Sequence, residues 1–247
     1  MKPLKLVPFL FLSLPLSGLT AIPEPTTLWD KNKINVCFLD DQNQVTLIGM
    51  QNNPKSFKDN GFTPQSFTTQ EKTIIKNTVN ESYTEKKTGI HFVGWENCSR
   101  ASEIDVVLMK AGKIERKFWL DKSVFFDGAA SIGENGVFNK DGYFGKDLKD
   151  KAFVALTKDL EKAVINHEFG HIAGLRHEHI HPQAKRIDSS CSAALYMKEI
   201  PIDKTMLQSY DRASIMNYCR IHNPMNNSSA LSAQDSNTLK MLYGNKR

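Results

Sequence analysis

The sequence predicts an α+β protein, with strands and helices interleaved over its first two thirds and an irregular stretch ending in a helix after that. Three observations lead there. The apolar runs Ile34–Leu39, Ile90–Trp95 and Ile104–Met109 have strand length, and a helical pattern follows the first of them. That strand–helix–strand order favours parallel pairing through a right-handed crossover. After His177 the periodicity nearly vanishes until the C-terminus, and an irregular segment of that length inside a compact domain marks a functional region.

The chain opens Met1-Lys2-Pro3-Leu4-Lys5, runs apolar from Leu6 to Leu16, and reaches the small residues Ser17, Gly18, Thr20 and Ala21. A basic start, a short apolar middle and a small-residue end describe a secretory signal peptide over 1–21, with cleavage expected after Ala21. The run is too short to span a bilayer, and Pro8 and Pro15 interrupt it. No other stretch approaches membrane-spanning length. The expectation is therefore a mature chain of 22–247, secreted to the exterior or to a periplasm, monomeric and without stable membrane association. Losing the leader removes Lys2 and Lys5 and no acid, so the net charge falls from +5 to +3. A mild, dispersed excess of that kind argues against a nucleic-acid partner.

Four cysteines, Cys37, Cys98, Cys191 and Cys219, read as two disulfides in an exported chain. Three pairings are possible; Cys37–Cys98 with Cys191–Cys219 is preferred, because each pair then stays on one side of the helix described next.

Taken in order, Leu28-Trp29 precedes the first strand, and Gln51–Pro64, rich in Asn, Lys, Gly and Pro, is expected to be a loop. A helix begins at the capping box of Thr68 and Glu71, carries Ile75, Val79 and Tyr83 at four-residue spacing, and closes at Gly89. Phe118–Leu120 and Val124–Phe126 are apolar clusters without a clear period. Ala129–Gly133 is expected as a short edge strand, and Asn139–Gly142 as a solvated turn, since the ligand spacing of a calcium loop is absent. Ala152–Thr157 is a further strand, and Asp159 can cap the helix after it. On that helix Ala163, Val164, His167 and His171 share a face while Ile165, Phe169 and Ile172 pack elsewhere, so it should be largely buried. Ser232 caps a terminal helix with Leu239 and Leu242 inside.

The decisive stretch is His167-Glu168-Phe169-Gly170-His171-Ile172-Ala173-Gly174-Leu175-Arg176-His177. Residues four apart lie on one helical face, so His167 and His171 can aim their rings at one point. Glu168 can reach a water held there. Gly174 lets the chain reverse at positive φ, which brings His177 round as a third nitrogen. Three imidazoles with one open position describe a catalytic zinc site rather than a structural one. Five of the seven histidines fall between His167 and His181, a concentration that a solvated helix end does not require.

In this longer form the motif resembles that of the metzincin zinc peptidases. Ser214-Ile215-Met216-Asn217-Tyr218 looks like their methionine turn. Glu178 after the third histidine, Tyr218 two residues after Met216, Leu28-Trp29, Leu231–Asp235 and Leu242–Gly244 are similar to the astacin branch. The resemblance implies a zincin-like fold: a twisted, mixed, mostly parallel sheet with two long helices in an N-terminal lobe (22–174), then an irregular C-terminal lobe (175–247) ending in a helix. It implies a cleft between the lobes in which a protein or peptide substrate lies antiparallel to an edge strand. It implies one Zn²⁺ on His167, His171 and His177, Glu168 as general base, and Tyr218 as an additional ligand that swings to the oxyanion. Glu178 is either a surface carboxylate or, as in the family, a buried charge that pairs with the new N-terminus. His179 and His181 are expected to be ordinary polar residues. His181 and Asn217 stand where the family commonly has Arg and His, which bears on substrate preference. The activity so implied is that of a zinc endopeptidase; a non-catalytic binding protein and an amidase acting on a non-protein amide are the rival readings.

Overall fold

A computed structural model of the chain describes residues 28–39, 45–47, 60–62, 65–98, 103–111, 114–117, 123–126, 128–131, 151–157, 160–178, 181, 183–184, 210–217 and 229–246. Its centre is a five-stranded sheet of β1 (Lys33–Phe38), β4 (His91–Asn97), β5 (Val106–Lys110), β8 (Gly128–Ala130) and β9 (Ala152–Leu156), in the order β4-β1-β5-β9-β8. Pairing is parallel throughout except at β8, which runs antiparallel to β9. The all-apolar Val106–Met109 and Ala152–Leu156 are buried along their whole length, as central parallel strands covered on both faces must be.

Between β1 and β4 come a short antiparallel pair, β2 (Val45–Leu47) with β3 (Asn60–Phe62), and the helices α1 (Thr69–Ser82) and α2 (Glu85–Thr88). The Thr68 side chain accepts from Glu71 N at 3.2 Å and the Glu71 carboxylate accepts from Thr68 N at 2.7 Å, which starts α1 as expected. Two corrections follow. The segment expected as a loop contains β3. The expected single helix to Gly89 breaks at Tyr83, and Thr84 caps a separate turn that Gly89 closes at φ +75. Tyr83 is the cause: its ring turns into the core against Phe92, 5.4 Å between centroids.

The cluster at 124–126 is also more ordered than its sequence suggested. Ser123–Phe126 (β7) pairs antiparallel with Ile114–Lys117 (β6), a strand whose charged residues conceal it. The expected edge strand is present one residue early, at β8. Asn139–Gly142, like Cys191, Cys219 and residues 1–27, lies outside the described residues.

The motif helix α3 (Lys162–Ile172) lies against β8 and β9, α1 lies against β4, and the two helices touch. The residue at the cap position of α3 is Glu161, whose side chain makes no capping bond; Asp159, expected as the cap, lies outside the described residues. What holds α3 is its buried face. Phe169 meets Phe92 at 4.9 Å and Trp95 at 5.8 Å, and Ile165 and Ile172 are fully buried with it. Trp95 reaches inward because β4 skips a residue opposite Val36 and Cys37, leaving Trp95 at φ +67. A bulky residue there costs on the order of 1–3 kcal/mol, which the aromatic packing offsets. Beside this bulge Cys37 and Cys98 form the expected disulfide; closing 61 residues of chain stabilises by about 4 kcal/mol through the unfolded state. The terminal helix α4 (Ala233–Tyr243) starts at a second capping box, Ser232 with Asp235; Leu239 is buried as expected and Leu242 is half-buried.

Candidate metal centre

His167 and His171, one helical turn apart on α3, are both buried. At Ala173 the helix ends, and Gly174, at φ +89, reverses the chain. The reversal is fixed by Leu175 N donating to Gly170 O at 2.9 Å and by Gly174 N donating to His171 O at 2.8 Å. It returns His177 to the other two rings. The candidate ligand atoms of His167, His171 and His177 all lie within 4.8 Å of one another, and the ring centroids are 4.5–5.2 Å apart. Among the described residues this is the group of His, Cys, Asp and Glu side chains able to share a metal ion.

The rings are also oriented. His167 Nδ1 lies 2.8 Å from Ile215 O and His171 Nδ1 lies 2.7 Å from Leu175 O. A carbonyl brings no proton, so each Nδ1 carries one, which leaves the Nε2 lone pairs for coordination. His171 Nε2 and His177 Nε2 are 2.9 Å apart. Nitrogens bound to one tetrahedral zinc lie roughly 3.3 Å apart, so a shift of a few tenths of an ångström converts this cluster into a ligand set. The residues fit the ion.

The methionine turn acts through its backbone. Besides Ile215 O on His167, Met216 O accepts from Glu178 N at 2.9 Å, tying the third-histidine segment to the turn. Gly170 lets the Met216 side chain in: a Cβ there would stand 2.5 Å from its sulfur. Asp235 braces the turn from α4, accepting from Ser214 Oγ at 2.7 Å and Ile215 N at 2.9 Å. Sequence reasoning named Ser232 as the cap and missed this second duty of its partner, although the S-x-x-D spacing of the capping box was there to find.

Three aromatic side chains take the exposed carbonyls of α3. Trp29 Nε1 donates to Ile172 O at 2.7 Å, Tyr243 OH to Ala173 O at 3.0 Å and Tyr83 OH to Asn166 O at 2.5 Å. A helix end buried in a core needs donors such as Trp29 and Tyr243, which come from the two ends of the described chain, while Tyr83 ties the helix at an interior carbonyl.

Glu168 is buried, 5% exposed, and burial pushes its carboxyl up to about 8. Glu178 is fully buried, which rules out the surface reading. Its Oε1 accepts from Asp211 N at 2.7 Å, and its Oε2 meets no donor among the described residues. Burial, with Asp235 and Asp211 nearby, raises it to about 9. His181 and Asn217 are buried too. Asn217 Nδ2 donates to Tyr210 OH at 2.6 Å, and the His181 ring stands 6.0 Å from that of Tyr210. Both are thus packed near Tyr210. Tyr218 and His179 lie outside the described residues.

A solved structure of myroilysin matches this chain over 92% of its length and 100% of its own, with a TM-score of 0.50 at 17% identity. The fold is astacin-like. High choriolytic enzyme 1, a hatching enzyme zinc-protease from Oryzias latipes, the medaka fish, matches over 91% of this chain and 97% of its own, with a TM-score of 0.49 at 14% identity. No protein-family model matches the sequence, and no curated protein matches it either. The astacin-like fold is carried here by a sequence only 17% identical to that of myroilysin.

Proposed function

We propose that this chain is an exported, zinc-dependent endopeptidase. The observation that carries the reading is the convergence of His167, His171 and His177, two of them with Nδ1 fixed by carbonyls, on a segment whose next residue after the first ligand is the buried Glu168. With zinc on the three imidazoles, the ion would supply a Lewis acid for the scissile carbonyl, an acidified water, and a positive charge that draws the Glu168 carboxyl down towards ionisation. Glu168 then takes the proton of the attacking water and returns it to the leaving amine. A carboxyl held near the working pH suits a group that must both accept and release a proton. Ile215 O and Leu175 O keep His167 and His171 in one tautomer through the cycle.

Tyr218 follows the turn that supports His167, and its assignment as ligand and oxyanion donor rests on the family resemblance alone. The same resemblance gives the substrate, a peptide laid antiparallel along β8, and the pairing of the open Oε2 of Glu178 with the new N-terminal ammonium, which the leader pattern places after Ala21. Export is supported by the Cys37–Cys98 disulfide, and no described helix is long and apolar enough to cross a membrane.

The test is digestion of casein by the purified mature chain with and without a chelator, beside Glu168→Gln. Cleavage should stop with the chelator and return with zinc, and Glu168→Gln should keep its zinc while losing at least 10²-fold in kcat. Cleavage indifferent to chelation would rule out the metal, and full activity in Glu168→Gln would falsify the base assignment.

A further inference from the structure

Gly128 stands on β8, the edge strand, opposite Leu156 of β9. Its backbone does not need a glycine, since it is not among the positive-φ positions Gly89, Gly94 and Gly174. Space is what requires it. A Cβ built on Gly128 would lie 2.6 Å from Glu168 Cγ, 2.7 Å from Oε1 and 2.9 Å from Cδ, closer than the 3.0 Å that real Cβ atoms respect. All three nearest atoms belong to Glu168, and none is backbone. All of the contacts are with a side chain, so an alanine could be accepted by the strand only if Glu168 turned about χ1, because Cγ is the nearest atom, and its carboxylate would be carried with it.

Glu168 has little freedom elsewhere. It is 5% exposed, on a helix whose neighbours Phe169 and Ile172 are fully buried and whose carbonyls are tied by Trp29, Tyr83 and Tyr243. The side chain is thus enclosed, its backbone is fixed by α3, and on the sheet side it meets a strand position with no side chain. We propose that Gly128 is a positioning residue for the proposed hydrolysis: the bare Cα of the edge strand is the wall that sets the Glu168 carboxylate beside the three imidazoles. This rests on the peptidase reading for its kinetic consequence, though not for the steric one. It also adds a duty to β8, since the strand that would align a peptide also places the base that would act on it.

The experiment is a double-mutant cycle of Gly128→Ala and Glu168→Ala in the mature chain, with kcat, KM, zinc content and melting temperature measured for each, and a crystal structure of Gly128→Ala. Gly128→Ala should keep its zinc, melting temperature and KM, and lose on the order of 10²-fold in kcat, the usual consequence of moving a reacting group by about 1 Å. In its crystal structure the contact to Glu168 Cγ should have opened from 2.6 Å to at least 3.4 Å. Glu168→Ala removes Cγ, Cδ and Oε1 together, so the added Cβ falls into vacated space and Gly128→Ala should cost nothing further in that background. Additive losses would overturn the proposal, as would an unmoved carboxylate. A Gly128→Ala chain that does not fold would overturn it too, because the strand rather than the base would then be what requires glycine. If the parent chain cleaves nothing, the peptidase reading fails, and the carboxylate displacement in the crystal still decides the steric claim.

Discussion

At the scale of single residues, Asp235 shows how much of a metal site lies away from the metal. Its carboxylate accepts from Ser214 Oγ, Ile215 N and Ser232 N, and through Ile215 it fixes the carbonyl that orients His167. Burial raises its pKa, and the bonds from Ser214, Ile215 and Ser232 oppose the rise. Exchanging it for Asn keeps the shape and turns one acceptor into a donor that faces another N–H or O–H. We expect Asp235→Asn to lower stability by about 2–3 kcal/mol, the scale of a lost bond to a charged group plus an unmatched donor. Zinc affinity should fall with it, because the acceptor for His167 Nδ1 moves. Denaturant midpoints and zinc titration check this; an unchanged midpoint would mean that the turn holds itself.

At the scale of elements, α3 depends on its ends more than on its own sequence. Its cap position makes no side-chain bond, Gly170 sits in its middle, and eight consecutive residues from Ile165 to Ile172 are buried. Trp29 and Tyr243 supply the donors that its last carbonyls would otherwise lack. Trp29→Phe keeps most of the apolar surface and removes one donor from a buried carbonyl, so it should cost about 1–3 kcal/mol. It should also speed hydrogen exchange at the end of α3 while leaving β1 and β5 protected. Equal loosening of the whole sheet would show that Trp29 acts as core packing and not as a cap. The capping boxes at Thr68 and Ser232 were legible in the sequence because both partners lie three residues apart and the physics is local. Strand β6 was not, since Ile-Glu-Arg-Lys carries no alternation, and its pairing is decided by β7.

At the scale of the molecule, the histidine cluster was legible because one short segment supplies all of it, with Gly174 as the only hinge. The partners that orient it were hidden because they are distant. Trp29 and Ile172 are 143 residues apart, and only folding shows which aromatic meets which carbonyl. The same holds for Asn217 and His181, whose nearness to Tyr210 no local pattern announces. The sheet fixes α3, the reversal at Gly174 fixes His177, and α4 fixes the turn beneath, so the site is the point where the two halves of the chain meet. The direct test of that account is the zinc content of the purified mature chain, measured beside His177→Ala. One equivalent in the parent and a substoichiometric amount in the variant is the result expected. A parent without zinc, or a variant that holds as much as the parent, would contradict it.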